Sequence, residues 1–390
     1  MRISIVSGTF HPEAGGPPTY LYRLANDLVV RGHRVRVATF GVSSGADRYA
    51  FPVRRVSREQ PIPLRVARLT WLAWNDARGA DLIFANDYGL PPMLANAFAH
   101  KPLVMKIVSD FAWEFGIRHA MVSPTTTIDE FQDLRLPARL TLVRRAQAEY
   151  AHRADAVIVP SAYLARMVAG WGVDAGRIHV LHNAVERTPP TRPLRRDALR
   201  LPERGDLIVT VARLVPWKGI DVLIRATAAL LSQGRAVSLV VVGDGEERER
   251  LVRLGKSLGI EHALIFVGEV PQPRVADYLA CATIFALASS YEGFSHVLLE
   301  ALAAGAPVVA SAVGGNLEVI RHGDNGLLVP AGDAAALAAT LARLLDDAAL
   351  RQRLIQAGSE TLEAFAWETL SRRTEMLFRD IVNRKSGSAA

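Results

Sequence analysis

The chain has 390 residues, half of them apolar, with 46 Lys and Arg against 39 Asp and Glu and a single cysteine. That length exceeds one ordinary domain. Cys281 alone can form neither an internal disulfide nor a Cys-rich metal site and suits a reducing cytoplasm, no apolar run reaches the roughly 18 residues of a membrane span, and Arg2 inside the first strand-like run argues against a signal peptide.

The charge is unevenly divided. Residues 1–180 hold 22 Lys and Arg against 15 Asp and Glu, whereas 181–390 hold 24 of each. The whole excess of +7 therefore lies in the first half, as a surface facing an anionic lipid or a nucleic acid would have it. No helix-turn-helix, zinc or RNA-binding aromatic signature accompanies it, so no nucleic acid partner is expected.

Ile3-Ser4-Ile5-Val6-Ser7 reads as a strand, followed by a loop, Gly8 to Gly16, and a helix from about Pro17 to Arg31. At the helix entrance Pro17 and Pro18 lack an N–H but suit a first turn. Gly16 N–H, Thr19 N–H and the Thr19 hydroxyl are candidate donors to a phosphate, or a simple cap. Strands are expected at 34–40, 53–56, 81–85 and 103–108, with helices at 63–77 and 91–99 between them. Such alternation means a parallel, doubly wound sheet. From Asp110 to Leu136 the pattern dissolves into aromatic, Pro and Thr-rich sequence, expected as an acceptor-side loop. A helix at 137–153, a strand at 156–159, a helix at 162–170 and a strand at 178–181 follow. In the 137–153 helix Leu136, Leu140 and Val143 share a stripe among Arg135, Arg139, Arg144, Arg145 and Arg153. It is either a face for an anionic membrane or an ordinary core-packing face.

The proline-rich, charged stretch around Pro189–Arg196 marks a linker, 188–202, between domains expected at 1–187 and 203–366. The second half repeats the alternation: strands at 207–211, 238–242, 264–267, 283–287 and 307–310, helices at 219–232, 246–258, 274–281, 297–304, 333–346 and 348–357. Ser386–Ala390 is expected to be disordered.

The chemistry concentrates in the second half. Tyr291-Glu292-Gly293-Phe294-Ser295-His296-Val297-Leu298-Leu299-Glu300 follows an apolar strand and opens a helix. The backbone N–H groups from Gly293 to His296 lie at a helix start, where anions bind in open α/β folds. Glu300, among Leu298, Leu299, Ala301 and Leu302, needs a partner or a ligand, because an unpaired carboxylate there is costly. Arg213 and Lys218, in Ala212-Arg213-Leu214-Val215-Pro216-Trp217-Lys218-Gly219, are two cations after one strand, able to reach one dianion. Val242-Gly243-Asp244-Gly245 is only a fragment of a dinucleotide fingerprint. The Gly314-Gly315 pair reads as a tight turn.

Arg-x4-Lys-Gly followed some eighty residues later by Glu-x7-Glu, with these flanks, resembles the retaining GT-B glycosyltransferases of family 4. The resemblance spans nearly the whole chain, although its specific motifs lie in the second half. It implies two Rossmann-like α/β domains of doubly wound parallel sheets facing a cleft, with the last helix, 367–385, completing the first domain. It implies that Arg213 and Lys218 bind the diphosphate of a UDP- or GDP-sugar, Glu300 the ribose diol, and Glu292 with Gly293, Phe294, Ser295, His296 and Val297 the sugar and phosphate. Gly16 and Thr19 would lie near the donor phosphate and Gly243 near the base. The implied reaction moves a hexose to an acceptor hydroxyl with retention and needs no metal or cofactor. Members commonly carry a histidine after the fourth or fifth strand of the first domain. Here the place reads Lys106-Ile107-Val108-Ser109-Asp110, leaving Asp110 as the candidate sugar or acceptor contact. A glycosidase would leave Arg213 and Lys218 unexplained; a sugar-nucleotide epimerase of the same fold and a non-catalytic nucleotide-sugar-binding protein stay open.

Overall fold

In the computed structural model, which describes residues 1–13, 15–42, 48–186 and 194–387, the chain folds as two units: Met1–His182 with the chain from Glu368 onward, and Asn183–Trp367. The first contains β1 (Arg2–Ser7), α1 (Gly16–Val30), β2 (Arg34–Phe40), β3 (Val53–Val56), α2 (Ile62–Ala77), β4 (Leu82–Asn86), α3 (Leu90–Ala99), β5 (Leu103–Lys106), α4 (Phe111–Arg118), α5 (Ile128–Asp133), α6 (Ala138–His152), β6 (Ala156–Val159), α7 (Ala162–Gly170) and β7 (Ile178–Val180). Its strands pair in the order β3-β2-β1-β4-β5-β6-β7, all parallel. Helices on both faces explain why Ile3 to Ser7 is buried without alternation.

Residues 110–136 are not the loop that their composition suggests. Asp110 accepts the Trp113 N–H at 3.0 Å and so starts α4, and a reciprocal Thr127–Glu130 capping box starts α5. The aromatic content serves packing: Trp113 is fully buried, with its indole N–H donated to the Thr126 carbonyl at 3.0 Å. The arginine-interleaved stripe of α6 likewise turns inward. Leu140, Gln147 and Ala151 are buried and Leu136 and Val143 half-buried, the pattern of the core-packing alternative.

The second unit contains β8 (Asp206–Val211), α8 (Ile220–Ser232), β9 (Val237–Val242), α9 (Arg248–Ser257), β10 (Leu264–Gly268), α10 (Gln272–Ala280), β11 (Ile284–Leu287), α11 (His296–Ala303), β12 (Val308–Ser311), α12 (Asn316–Val319), β13 (Leu327–Val329), α13 (Ala334–Asp346) and α14 (Ala348–Thr361), after which α15 (Trp367–Gly387) ends the described chain. Its sheet runs β10-β9-β8-β11-β12-β13, so the topological switch falls between β8 and β11. The periodicity misses β13 and α12, three and four residues long, because so few residues span no full repeat of either pattern.

Of the expected linker, residues 188–193 lie outside the described residues. From Leu194 on it is no free tether: Leu199 and Leu201 enter the second unit's core, and Leu194 N–H donates to Asp277 Oδ1 at 3.1 Å. The helix α15 packs on the first unit. Ser371 Oγ donates to Asp27 at 2.6 Å, His33 Nε2 meets Glu375 at 2.9 Å, Lys385 pairs with Asp155 at 2.8 Å, and buried Phe378 lies 5.0 Å from Phe84, ring to ring. Ser386 and Gly387, expected to be disordered, extend this helix, whereas 388–390 lie outside the described residues.

Candidate active site

The segments leaving β8, β9, β11 and β12 meet at the carboxyl edge of the second unit's sheet. Leu214 N–H donates to the Asp244 carbonyl at 2.9 Å and Glu247 N–H to the Leu214 carbonyl at 3.0 Å, tying the first two together. Ser290 N–H donates to the Trp217 carbonyl at 2.9 Å, tying the first to the third. Glycine makes both seams close. Gly243 and Gly219 have positive φ, of 126° and 62°, and a Cβ on either would collide with the carbonyl oxygen of Ala212 or of Ala288. Gly243, expected near a base, therefore serves first as backbone packing.

These seams place Lys218, on the segment after β8, against Glu292, on the segment after β11. Lys218 Nζ donates to Glu292 Oε1 at 2.6 Å, and the buried Ser289 hydroxyl donates to the same oxygen at 2.6 Å. The two groups flank the switch point, where ligands bind in open α/β sheets. Arg213 is exposed on the same loop as Lys218. Behind Glu292, Gly315 N–H donates to the Glu292 carbonyl at 2.9 Å. A Cβ on Gly315 would lie 2.8 Å from the Phe294 Cα and collide with the Gly293 carbonyl, so this glycine buttresses the site from behind and does more than make a turn.

Gly293, Phe294 and Ser295 are buried, and Ser295 is the N-cap of α11, with His296 and Val297 opening its first turn. Asn183 Nδ2 donates to the Phe294 carbonyl at 3.3 Å and Phe365 packs on the Phe294 ring at 5.7 Å, fixing the turn. Glu300 is half-buried, one turn further on, and its Oε1 accepts from Gln272 Nε2 of α10 at 2.6 Å. Ser289, Gln272 and Gly315 thus hold the expected residues in place. The sequence offers a signal for only one of them, the small-residue pair Gly314-Gly315. Among the described residues no group of three or more His, Cys, Asp or Glu is arranged to hold a metal ion.

Gly16, Thr19 and Asp110 belong to the first unit, and two of them need correction. Thr19 N–H and the Thr19 hydroxyl both donate to the Gly15 carbonyl, at 3.3 and 2.9 Å, because they close the first turn of α1. They are not donors in waiting for a phosphate. Gly16, the first residue of α1, keeps its expected position at the helix start. Asp110 is fully buried, and both carboxylate oxygens are engaged: Oδ1 by Trp113 N–H and Gln147 Nε2 at 3.0 and 3.1 Å, Oδ2 by Gln132 Nε2 at 2.9 Å. Burial raises its pKa against the pull of these donors. It holds α4, α5 and α6 together and offers no oxygen to a substrate.

Two Rossmann-like parallel-sheet units, the second carrying a cation–carboxylate pair at its switch point, define a GT-B architecture. Residues 14–188 match the model described as Glycosyltransferase Family 4, and residues 191–361 the model described as Glycosyl transferases group 1. The chain belongs to this glycosyltransferase family. It is 36% identical over 232 residues to a D-inositol 3-phosphate glycosyltransferase of Nocardioides sp., covering 55% of this chain and 51% of that protein. It is 28% identical to a phosphatidyl-myo-inositol mannosyltransferase of Mycobacterium leprae over 100% of this chain and 98% of that one. The chain thus spans about half the length of the inositol phosphate relative. Among solved structures, that of Anabaena HepE in complex with UDP and glucose superposes with a TM-score of 0.78 at 22% identity, covering 97% of this chain and all of that one, and so shares the fold.

Proposed function

We propose that the protein transfers a hexose from a UDP- or GDP-linked sugar to an acceptor hydroxyl, with retention of configuration, in the synthesis of a glycan, a glycolipid or a glycosylated metabolite. The observation that carries this reading is the Lys218–Glu292 contact at 2.6 Å beside the switch point, with Arg213 on the same loop. A cluster of this kind suits a leaving diphosphate. As the anomeric C–O bond breaks, negative charge grows on the phosphate oxygens, and Lys218 and Arg213 stabilise it where a metal ion otherwise would. Glu292 and Ser289 hold the lysine in position, so little reorganisation accompanies the reaction. The acceptor oxygen forms the new bond to the anomeric carbon on the departing face and passes its proton to a diphosphate oxygen. Glu300, oriented by Gln272, accepts the ribose hydroxyls, while the N–H groups from Gly293 to Ser295 and the carboxylate of Glu292 take sugar and phosphate.

The UDP and glucose named with HepE, and the sugar-transfer names of the sequence relatives, support a nucleotide-sugar donor and transfer over epimerisation or sensing. The relatives' names also favour an inositol-type or lipid-linked acceptor, and a cytoplasmic enzyme peripheral to the membrane fits such a substrate. A panel of UDP- and GDP-sugars, with release of nucleoside diphosphate followed with and without acceptors, tests the reading. Acceptor-dependent release supports transfer; binding without release from any donor refutes it. Activity is expected to survive EDTA, and restoration by Mg²⁺ or Mn²⁺ after EDTA had abolished it would contradict a metal-free diphosphate site.

A further inference from the structure

The first unit buries a row of polar side chains that no step above uses. Ser7, Asn86 and Lys106 end β1, β4 and β5, and they pair directly, Ser7 with Asn86 and Asn86 with Lys106. Their side chains therefore stand side by side on one face of the sheet, at its carboxyl edge. None is more than 1% exposed. Tyr20 of α1 closes the row, its ring centre 3.3 Å from Lys106 Nζ. Neither the oxygen nor the nitrogen of the Asn86 amide has a hydrogen-bond partner among the described residues. A buried lysine and a buried, unpaired amide each cost stability, and here they stand together beside the β1–β4 switch point of the first sheet, where open α/β folds bind ligands.

Asp87 is the outward end of this row. It follows Asn86 with a φ of 59°, uncommon for a residue with a side chain, and its N–H donates to the Lys106 carbonyl at 2.9 Å. Unlike Asp110, it is exposed. Burial lowers the pKa of Lys106 and the nearby Asp87 raises it, so the two charges feel each other. Tyr150 of α6 walls the edge: a Cβ on Gly89 would lie 2.3 Å from the Tyr150 Cδ2. Charge selects the ligand. Asp87 beside Lys106 is a neutral pair, and the neighbouring guanidiniums are engaged elsewhere, Arg58 by Glu13 at 2.7 Å and the Gly8 carbonyl at 2.8 Å, Arg65 by the Arg58 carbonyl at 3.1 Å and the Phe40 ring. A phosphate arriving here meets the carboxylate as a like charge, whereas hydroxyl groups find in it a strong acceptor.

We propose that Asp87 is a specificity-determining contact for the acceptor: its carboxylate, backed by Lys106, accepts hydrogen bonds from adjacent hydroxyls of a neutral polyol, a hexose or an inositol ring. The Asn86 amide completes the contact through a bridging water. The place of this contact in the reaction rests on the transfer reading, while the binding itself stands on the first unit alone. The acceptor role expected of Asp110 passes to the carboxylate that remains exposed.

Saturation-transfer NMR of the full chain with myo-inositol and with methyl α-mannoside tests the binding without any donor. Wild type is expected to bind at least one of the two, with no competition from inorganic phosphate. Asp87→Asn, which suits the same backbone, should weaken that binding by about tenfold or more. Lys106→Met should weaken it by about threefold while raising the urea midpoint at pH 7, opposite signs that a purely structural lysine would not give. UDP and GDP affinity, read by calorimetry, should be unchanged in both variants, so that failure of the donor reading and failure of this one are told apart. No binding of either polyol to wild type overturns the proposal. Equal binding by Asp87→Asn overturns it as well, and so does displacement of the polyol by phosphate, which would make the edge an anion site.

Discussion

Replacing Lys218 by alanine should do more than slow the reaction. The Lys218 ammonium donates to a carboxylate whose side chain is 7% exposed, and is itself 19% exposed. Removing one partner of a buried pair typically costs about 3–5 kcal/mol, because the other charge is left in a poor solvent. Here Ser289 remains as one donor to Glu292, at 2.6 Å, so the cost belongs at the lower end, about 3 kcal/mol. Glu292→Gln leaves Lys218 only partly exposed and opposite an amide, and should cost about 1–2 kcal/mol. The double variant Lys218→Ala, Glu292→Gln should be less destabilised than the sum, by at least about 1.5 kcal/mol, since no isolated charge then remains. Urea unfolding of wild type, the two single variants and the double variant gives the cycle, and turnover of the same four proteins separates function from folding: the double variant should be folded and nearly inactive. Single variants that each lose less than about 0.5 kcal/mol and simply add would refute the argument that the pair is a buried, mutually dependent unit.

Arg213→Ala, at an exposed position, should leave stability within about 0.5 kcal/mol and lower turnover roughly 10²–10³-fold; a folded variant with wild-type turnover would remove Arg213 from the diphosphate role. Glu300→Gln should weaken UDP or GDP binding by about 1–3 kcal/mol, read by calorimetry, and unchanged affinity would reduce Glu300 to a partner of Gln272. Asp110→Ala should destabilise by about 2 kcal/mol or more, by losing a cap and leaving the buried Gln147 amide without its acceptor, while the folded fraction turns over normally; a specific loss of turnover would return Asp110 to the site. Lys106 is fully buried under the Tyr20 ring at 3.3 Å, and burial lowers its pKa to about 7 despite the nearby Asp87. Its folded pKa thus lies below the unfolded value of 10.5. The folded state binds fewer protons above pH 7, and wild-type stability should rise by about 2 kcal/mol from pH 7 to 9. Lys106→Met should be more stable at pH 7 and flatten this rise, and a urea midpoint profile unchanged by the substitution would show that burial does not lower the pKa of this lysine.

The parallel-sheet architecture was legible in the sequence because strands covered on both faces are continuous apolar runs, and because the helices between them carry a clean amphipathic period. That Arg213 and Lys218 follow one strand and Glu292 and Glu300 another was legible too, since short spacings after a strand already confine side chains to one edge of a sheet; that Lys218 meets Glu292 was not. What the linear order cannot carry is which donors are already committed. Whether Thr19 and Asp110 face a ligand or the protein depends on hydrogen bonds closed only when a helix turn forms or when α5 and α6 fold over α4. The same holds for Gln272, which reaches Glu300 from 28 positions earlier, and for Gly315, whose missing Cβ matters only because the Glu292–Phe294 backbone lies against it. The inward turn of the α6 stripe is likewise decided by tertiary packing. A helical period says that a face is apolar, and only the neighbouring elements determine whether that face is covered.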